Sequence, residues 1–144
     1  MPYIKIWIHT VWATKDRQPY LNNEIRQNIF QHIRENAAVK GIHLDHINGY
    51  TEHVHCLVSL SAEQNIATVM NLLKGESSFW INKNKLIKTK FNWQDEYFAV
   101  SIGHSQIESV RKYIREQETH HKKKTFSLEY DEFIEKYGFE VFKG

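Results

Sequence analysis

The sequence predicts an α+β domain, with a central antiparallel sheet, two long helices on one of its faces, and further helices after the last strand. Three observations predict it. An alternating apolar run opens the chain. Two long helical stripes follow, with a pair of strand-like runs between them. A fourth strand-like run then precedes the last helical stretch. Strand, helix, strand, strand, helix, strand is the split βαβ order of a ferredoxin-like domain.

Each element has its own local reason. From Tyr3 to Thr14, Ile4, Ile6, Ile8 and Thr10 share one side of a strand and Lys5, Trp7 and His9 the other. Lys15 to Pro19 is a polar break. Asn22 to about Lys40 reads as a helix, because Ile25, Ile29, Ile33 and Ala37 recur every four residues and Gly41 stops it. Ile42 to Tyr50 and Glu52 to Leu60 read as two strands joined in an antiparallel hairpin. Asn65 to about Lys85 is the second helix, with Ile66, Val69, Met70, Leu73, Ser77, Trp80 and Ile81 on its apolar stripe. Gly75 inside it costs about 1 kcal/mol relative to alanine. A lysine-bearing loop to Lys90 leads to a fourth strand from Tyr97 to Ile102. Ser105 is the expected N-cap of a helix running to about His121, and Phe126 to Tyr137 is expected to form a last short helix.

The 144 residues suit one domain spanning 1–144, and 41% hydrophobic content argues against wholesale disorder. The Met1–Ala13 stretch lacks the basic-then-apolar order of a leader. No run approaches the roughly 20 apolar residues of a membrane span. The single cysteine, Cys56, excludes an internal disulfide and suits a small buried apolar side chain. A reducing, cytoplasmic setting is expected. The net charge is only +2, so bulk charge does not by itself imply nucleic acid. The clusters Lys83, Lys85, Lys88, Lys90 and Lys122–Lys124 could contact phosphates or simply be solvated.

Two groups of residues carry chemistry. In His53-Val54-His55, strand alternation sends both imidazoles to one face, while Val54, Cys56 and Val58 point to an apolar core. Two imidazoles can grip a cation, but a further ligand must come from elsewhere. The same tripeptide also arises by chance in a chain with nine histidines. Tyr113 and Gln117 are expected four apart on one helical face. A tyrosine hydroxyl can act as a nucleophile, and Gln117 offers an amide oxygen to a hard cation. Taken alone, a tyrosine on an amphipathic helix more often packs than reacts, and Ile107, Val110 and Ile114 flank this one.

Taken together, these residues resemble the single-tyrosine HUH transposases of the insertion-sequence 200/605 group, HUH being histidine, hydrophobic residue, histidine. His53-Val54-His55 matches the central-strand motif, and Tyr113 with Gln117 the Tyr-x-x-x-Gln pair. Thr14-Lys15-Asp16-Arg17 is similar to the basic segment ending the first strand. Trp93 and the run Tyr97-Phe98-Ala99-Val100-Ser101 are similar to the aromatic fourth strand.

The resemblance implies a DNA transposase that cuts and rejoins single-stranded DNA at hairpin-bearing ends of a mobile element. Tyr113 would keep the 5′ phosphate as a covalent adduct. His53, His55 and Gln117 would hold Mg²⁺ or Mn²⁺, and no ATP is needed. A homodimer is implied, in which the tyrosine helix can serve either subunit. A related branch acts on repetitive extragenic palindromes. Phosphate contacts are expected from Lys15, Arg17, Lys74, Lys83, Lys85, Lys88 and Lys90, with exposed aromatics stacking on unpaired bases. The sequence does not name the base that takes the tyrosine proton, which an ordinary pKa of about 10 makes necessary. His120, about two helical turns after Tyr113, suits a helix C-terminus, and with Glu116 and His121 it is left outside the expected site. A non-cleaving binder of hairpin DNA and a metallohydrolase using activated water are the competing readings. No carboxylate base stands at a telling spacing for the latter.

Overall fold

The computed structural model describes residues 2–138; Met1 and residues 139–144 of the expected domain lie outside them. The elements follow the expected order: β1 (Ile6–Thr14), α1 (Asn23–Val39), β2 (His43–Gly49), β3 (His53–Leu60), α2 (Ile66–Lys83) and β4 (Trp93–Ile102). Three helices follow: α3 (Ile107–Arg115), α4 (Gln117–His121) and α5 (Phe126–Tyr137). The four strands form one antiparallel sheet in the order β2-β3-β1-β4.

Both long helices begin where asparagine can cap them. Asn22 Oδ1 accepts from the Glu24 and Ile25 amides, and Asn65 Oδ1 from that of Thr68. Their apolar stripes cover one sheet face. Ile29, Ile33 and Ala37 of α1 and Val69, Met70, Leu73 and Ile81 of α2 pack with Trp12, Val54, Cys56 and Val58 of the strands. Because side chains alternate, Val54 and Cys56 enter this core and His53 and His55 must leave on the opposite face.

β4 starts four residues before the expected Tyr97. A bulge between Trp12 and Thr14 of β1 lets Trp93 pair with Thr14, and the Trp93 indole is then buried against Ser77 of α2.

The expected helix from Ser105 to His121 is corrected. A 3₁₀ turn, His104–Gln106, comes first, and Ser105 lies inside it rather than capping. Gln106 is the residue before α3 and makes no side-chain cap bond. The helix then breaks at Glu116 (φ −96°, ψ 17°), so Tyr113 and Gln117 lie on different helices. Tertiary contacts hold each of the two pieces. Arg111 of α3 makes a two-pronged bond to Asp45 of β2, and Asn48 of β2 donates to the Arg115 carbonyl. The buried Arg26 of α1 pairs with Glu118 of α4 at 2.8 Å.

Helix α5 has the expected bounds. Thr125 caps it, accepting from the Leu128 amide, and Gly138 ends it in the left-handed region at φ 61°. Its Phe126 packs on Val11 and Ala13, so the second sheet face is covered by the C-terminal helices. Among the described residues, no helix is long and apolar enough to cross a membrane.

Candidate metal and nucleophile site

His53 and His55 leave β3 side by side beneath α3, α4 and α5, and both are fully buried. Their outer nitrogens are held in place. His53 Nδ1 donates to Glu52 Oε1 at 2.7 Å, and His55 Nδ1 is hydrogen-bonded to His9 Nε2 at 2.9 Å. Both Nε2 atoms therefore point into one volume. Burial holds His55 down at about 4 and His9 at about 3, each further lowered by neighbouring imidazole charge and partly restored by the Glu129 carboxylate. Both are neutral at neutral pH, the form that can ligate a metal.

Gln117, the first residue of α4, turns its amide into the same volume. Its Oε1 lies 3.0 Å from His53 Nε2, and its Nε2 donates to the Tyr113 carbonyl at 3.3 Å. That second bond fixes which end of the amide faces the histidines. Tyr113 comes from α3, its ring 5.5 Å from that of His55 and 5.2 Å from that of His120. The structure thus brings the four expected residues together, across the helix break.

Three participants were not expected from the sequence. The first is Glu129 of α5, only 1% exposed. Its Oε1 accepts from His55 Nε2 and His121 Nε2, each at 3.1 Å, and lies 3.5 Å from His53 Nε2. Its Oε2 accepts from the Tyr113 hydroxyl and lies 3.4 Å from His120 Nε2. Burial pushes this carboxyl up, but hydrogen bonds from His121 and His55, with the electrostatic influence of the His55 and His53 rings, outweigh it, so it stays well below the usual range. The Tyr113 phenol is pushed well above its ordinary value by burial, then by the charge of Glu129 and the bond to it.

The second is His121, set aside in the sequence reading, whose side chain is 1% exposed and whose ring lies 4.5 Å from that of His53. His120, partly exposed, packs on the nucleophile's ring. The third is His9, which shares the site face with Val11 and Ala13 by strand alternation. A signal existed for two of these. Glu129 interrupts the apolar stripe Phe126, Tyr130, Phe133, and His9 a run that continues through Val11 and Ala13.

The donor set fits a divalent cation. Ligand atoms of His53, His55, His121 and Glu129 all lie within 4.8 Å of one another. Two ligands across one Mg²⁺ stand ~4.2 Å apart, so a small contraction would suffice. Phe126 stacks on the His53 ring at 4.2 Å and 10°, which closes the site on one side.

The cationic residues are spread more widely. Lys15 and Arg17 sit in an exposed turn directly after β1, with Asp16 and Arg17 both at positive φ (56° and 54°). The Arg17 guanidinium lies 4.5 Å from the Tyr130 ring centre, at the rim of the site. Lys83, Lys85, Lys88 and Lys90 are exposed at the end of α2 and in the loop to β4. The Lys15 amide donates to the Asn92 carbonyl, so the turn lies beside the strand entry to which that loop leads. Lys74 is committed elsewhere, donating to the Gln94 and Asp95 carbonyls at 2.6 and 2.8 Å. Trp12 and Trp93 are core, and Trp80 stacks on His32.

Residues 3–117 match the family described as Transposase IS200 like. The match ends at Gln117, short of His121 and Glu129. The chain is 25% identical over 114 residues to the ISDra2 transposase TnpA of Deinococcus radiodurans, covering 76% of this chain and 81% of that one. Among solved structures, a crystal structure described as a transposase from Deinococcus radiodurans superposes with a TM-score of 0.66 at 22% identity, covering 81% of this chain and 93% of that one. A tyrosine transposase associated with REP sequences, bound to a REP hairpin, superposes with a TM-score of 0.60 at 18% identity, covering 84% and 72%.

Proposed function

The chain belongs to the IS200-like transposase family, and from that premise we propose that it cuts and rejoins single-stranded DNA through Tyr113, with His53, His55 and Gln117 holding Mg²⁺ or Mn²⁺ and without ATP. One observation carries the reading: the Tyr113 hydroxyl, the Nε2 atoms of both strand histidines and the Gln117 amide oxygen converge on one buried volume, bridged by Glu129. A tyrosine placed only for packing does not need that company.

The chemistry is a phosphoryl transfer without a water nucleophile. Tyr113 Oη bonds to phosphorus as the P–O3′ bond breaks, leaving a 5′-phosphotyrosine and a free 3′ hydroxyl. The Tyr113 hydroxyl donates a hydrogen bond to Glu129 Oε2, which places an acceptor beside the proton that the phenol must lose. The leaving 3′ oxygen takes up a proton from water. Rejoining is the reverse, with another strand's 3′ hydroxyl attacking the phosphotyrosine and releasing Tyr113. A divalent ion, when bound, supplies Lewis-acid polarisation of the scissile phosphate. Gln117, oriented through the Tyr113 carbonyl, ties the ligand set to the helix that bears the nucleophile.

Single-stranded DNA with hairpins is the proposed substrate, and the hairpin-bound relative supports it. Lys15, Arg17, Lys83, Lys85, Lys88 and Lys90 are the proposed phosphate contacts, with Lys74 joining them on release from Gln94 and Asp95. A homodimer remains part of the proposal, and in this chain Tyr113 lies beside the histidine pair of its own subunit.

The test uses the full chain, Mn²⁺ or Mg²⁺, and hairpin-bearing single strands taken from the DNA flanking its own gene. A denaturing gel should show a covalent protein–DNA adduct. Tyr113→Phe should abolish the adduct and leave hairpin binding intact. An undiminished adduct in that variant removes Tyr113 from the role. Hairpin binding with no adduct under either metal makes the protein a non-cleaving binder.

A further inference from the structure

We propose that Glu129 and His121 are metal ligands beside His53, His55 and Gln117, so that His121 of α4 and the carboxylate of Glu129 on α5 complete the cation centre. The inference rests on the reading that this cluster holds a divalent ion. It goes beyond the Tyr-x-x-x-Gln pattern, because both residues lie past the matched segment.

Three observations support it. The first is position. Glu129 Oε1 stands 3.1 Å from His55 Nε2, 3.1 Å from His121 Nε2 and 3.5 Å from His53 Nε2, in the middle of the imidazoles instead of at their edge. The second is charge. Glu129 is 1% exposed, and its partners are imidazoles and a phenol. No lysine or arginine pairs with it among the described residues. A buried carboxylate needs a full counter-charge, and a divalent ion at this point supplies one. The same reasoning runs from the metal's side. His53, His55 and Gln117 are neutral ligands, so Mg²⁺ or Mn²⁺ held by them alone would be buried without compensation, and hard cations favour carboxylate oxygen. The third is support. The outer nitrogens of His53 and His55 are braced by Glu52 and His9, and the His121 ring is stacked on Tyr50 at 5.6 Å. Ligands of a metal are oriented by such partners.

Glu129 then has two oxygens with two tasks: Oε1 among the ligands and Oε2 on the Tyr113 hydroxyl. One carboxylate would set the distance between nucleophile and cation.

The experiment measures Mn²⁺ binding to the full chain by the loss of the free-ion electron paramagnetic resonance signal, with no DNA present. Glu129→Gln should weaken Mn²⁺ by at least about tenfold, the lower end of what removing even an outer-shell partner costs. Glu132→Gln, on the same helix, should bind as the parent does. A second variant gives a signal that misfolding cannot imitate. His121→Cys loaded with Co²⁺ should show a thiolate-to-cobalt charge-transfer band absent from the parent, whose Cys56 is buried in the opposite core. If Glu129→Gln does not fold, Glu129→Cys loaded with Co²⁺ is read for the same band, and its absence removes Glu129 from the centre. Parent-like Mn²⁺ affinity in Glu129→Gln removes Glu129 from the centre, and no band in His121→Cys removes His121. Either result leaves the proposed function standing as long as His53→Ala abolishes Mn²⁺ binding. If the parent chain binds no Mn²⁺, the metal reading and this inference fall together.

Discussion

His9 of β1 meets His55 of β3 through a 2.9 Å contact between Nε2 and Nδ1, and both rings are buried. With both imidazoles neutral, one of these nitrogens donates and the other accepts. That choice decides which nitrogen of His55 keeps a lone pair for a cation. Replacing His9 with phenylalanine keeps an aromatic ring against Phe133 and Tyr113 but removes the partner of Nδ1. The expected result is a loss of Mn²⁺ affinity of about 10- to 100-fold, read by titration, with the fold retained. Parent-like affinity would mean that packing alone orients the His55 ring.

Gly49 ends β2 opposite Val54, and the backbone of β3 is close above it. A Cβ built there would stand 2.1 Å from the His53 carbonyl oxygen and 3.0 Å from Val54 Cα. Both are backbone atoms, so the strand itself must shift. Gly49→Ala should cost about 1–3 kcal/mol, as overpacking does, measured by urea unfolding. Mn²⁺ affinity should fall as well, because the peptide that moves carries His53. An unchanged unfolding midpoint would show that the hairpin absorbs the methyl group.

The fold was legible where local pattern and burial agree. The stripes of α1 and α2 and the alternation around His53 and His55 each report a face, and the structure buries those faces as read. The break at Glu116 was not legible, because no glycine or proline marks it. It follows from tertiary tethers, Arg111 to Asp45 and Arg26 to Glu118, whose partners are 66 and 92 residues apart. Glu129 and His121 were hidden for the same reason. Their place depends on how α4 and α5 fold back over the sheet, and helical spacing does not encode it. What the sequence did hold was a carboxylate inside the apolar stripe of α5, a position a surface helix would not choose for it.

Trp93 shows how the opposite core fixes the edge of the sheet. Its Nε1–H donates to Ser77 Oγ at 2.9 Å, and that hydroxyl donates to the Leu73 carbonyl at 2.6 Å. Ser77 is fully buried in α2. Ser77→Ala leaves the indole N–H without its partner, at about 1–3 kcal/mol. Urea unfolding should show that loss, with a change in tryptophan emission of the native state. Stability equal to the parent would mean the indole finds another acceptor.

The placement of α3, and with it Tyr113, depends on a pair that responds to acid. Arg111 Nε and Nη2 donate to the two oxygens of Asp45 at 2.8 and 2.9 Å, and His46 Nδ1 bonds to the same carboxylate at 2.6 Å. Burial pushes the Asp45 carboxyl up, but the bonds from Arg111 and His46 pull it further the other way, below its ordinary 3.8. A carboxyl depressed in the folded state contributes stability that is complete above its unfolded value and disappears as pH falls through its folded value. The contribution is therefore present above pH 3.8 and lost below it. Asp45→Asn removes that dependence, so its acid limb of melting temperature against pH should be shallower than the parent's in this window. The gap between the two proteins should also narrow in high salt, because the pair is partly open to solvent. Parallel acid limbs would mean that α3 is held on β2 by apolar contacts and the Asn48 bond alone, with Asp45 a bystander.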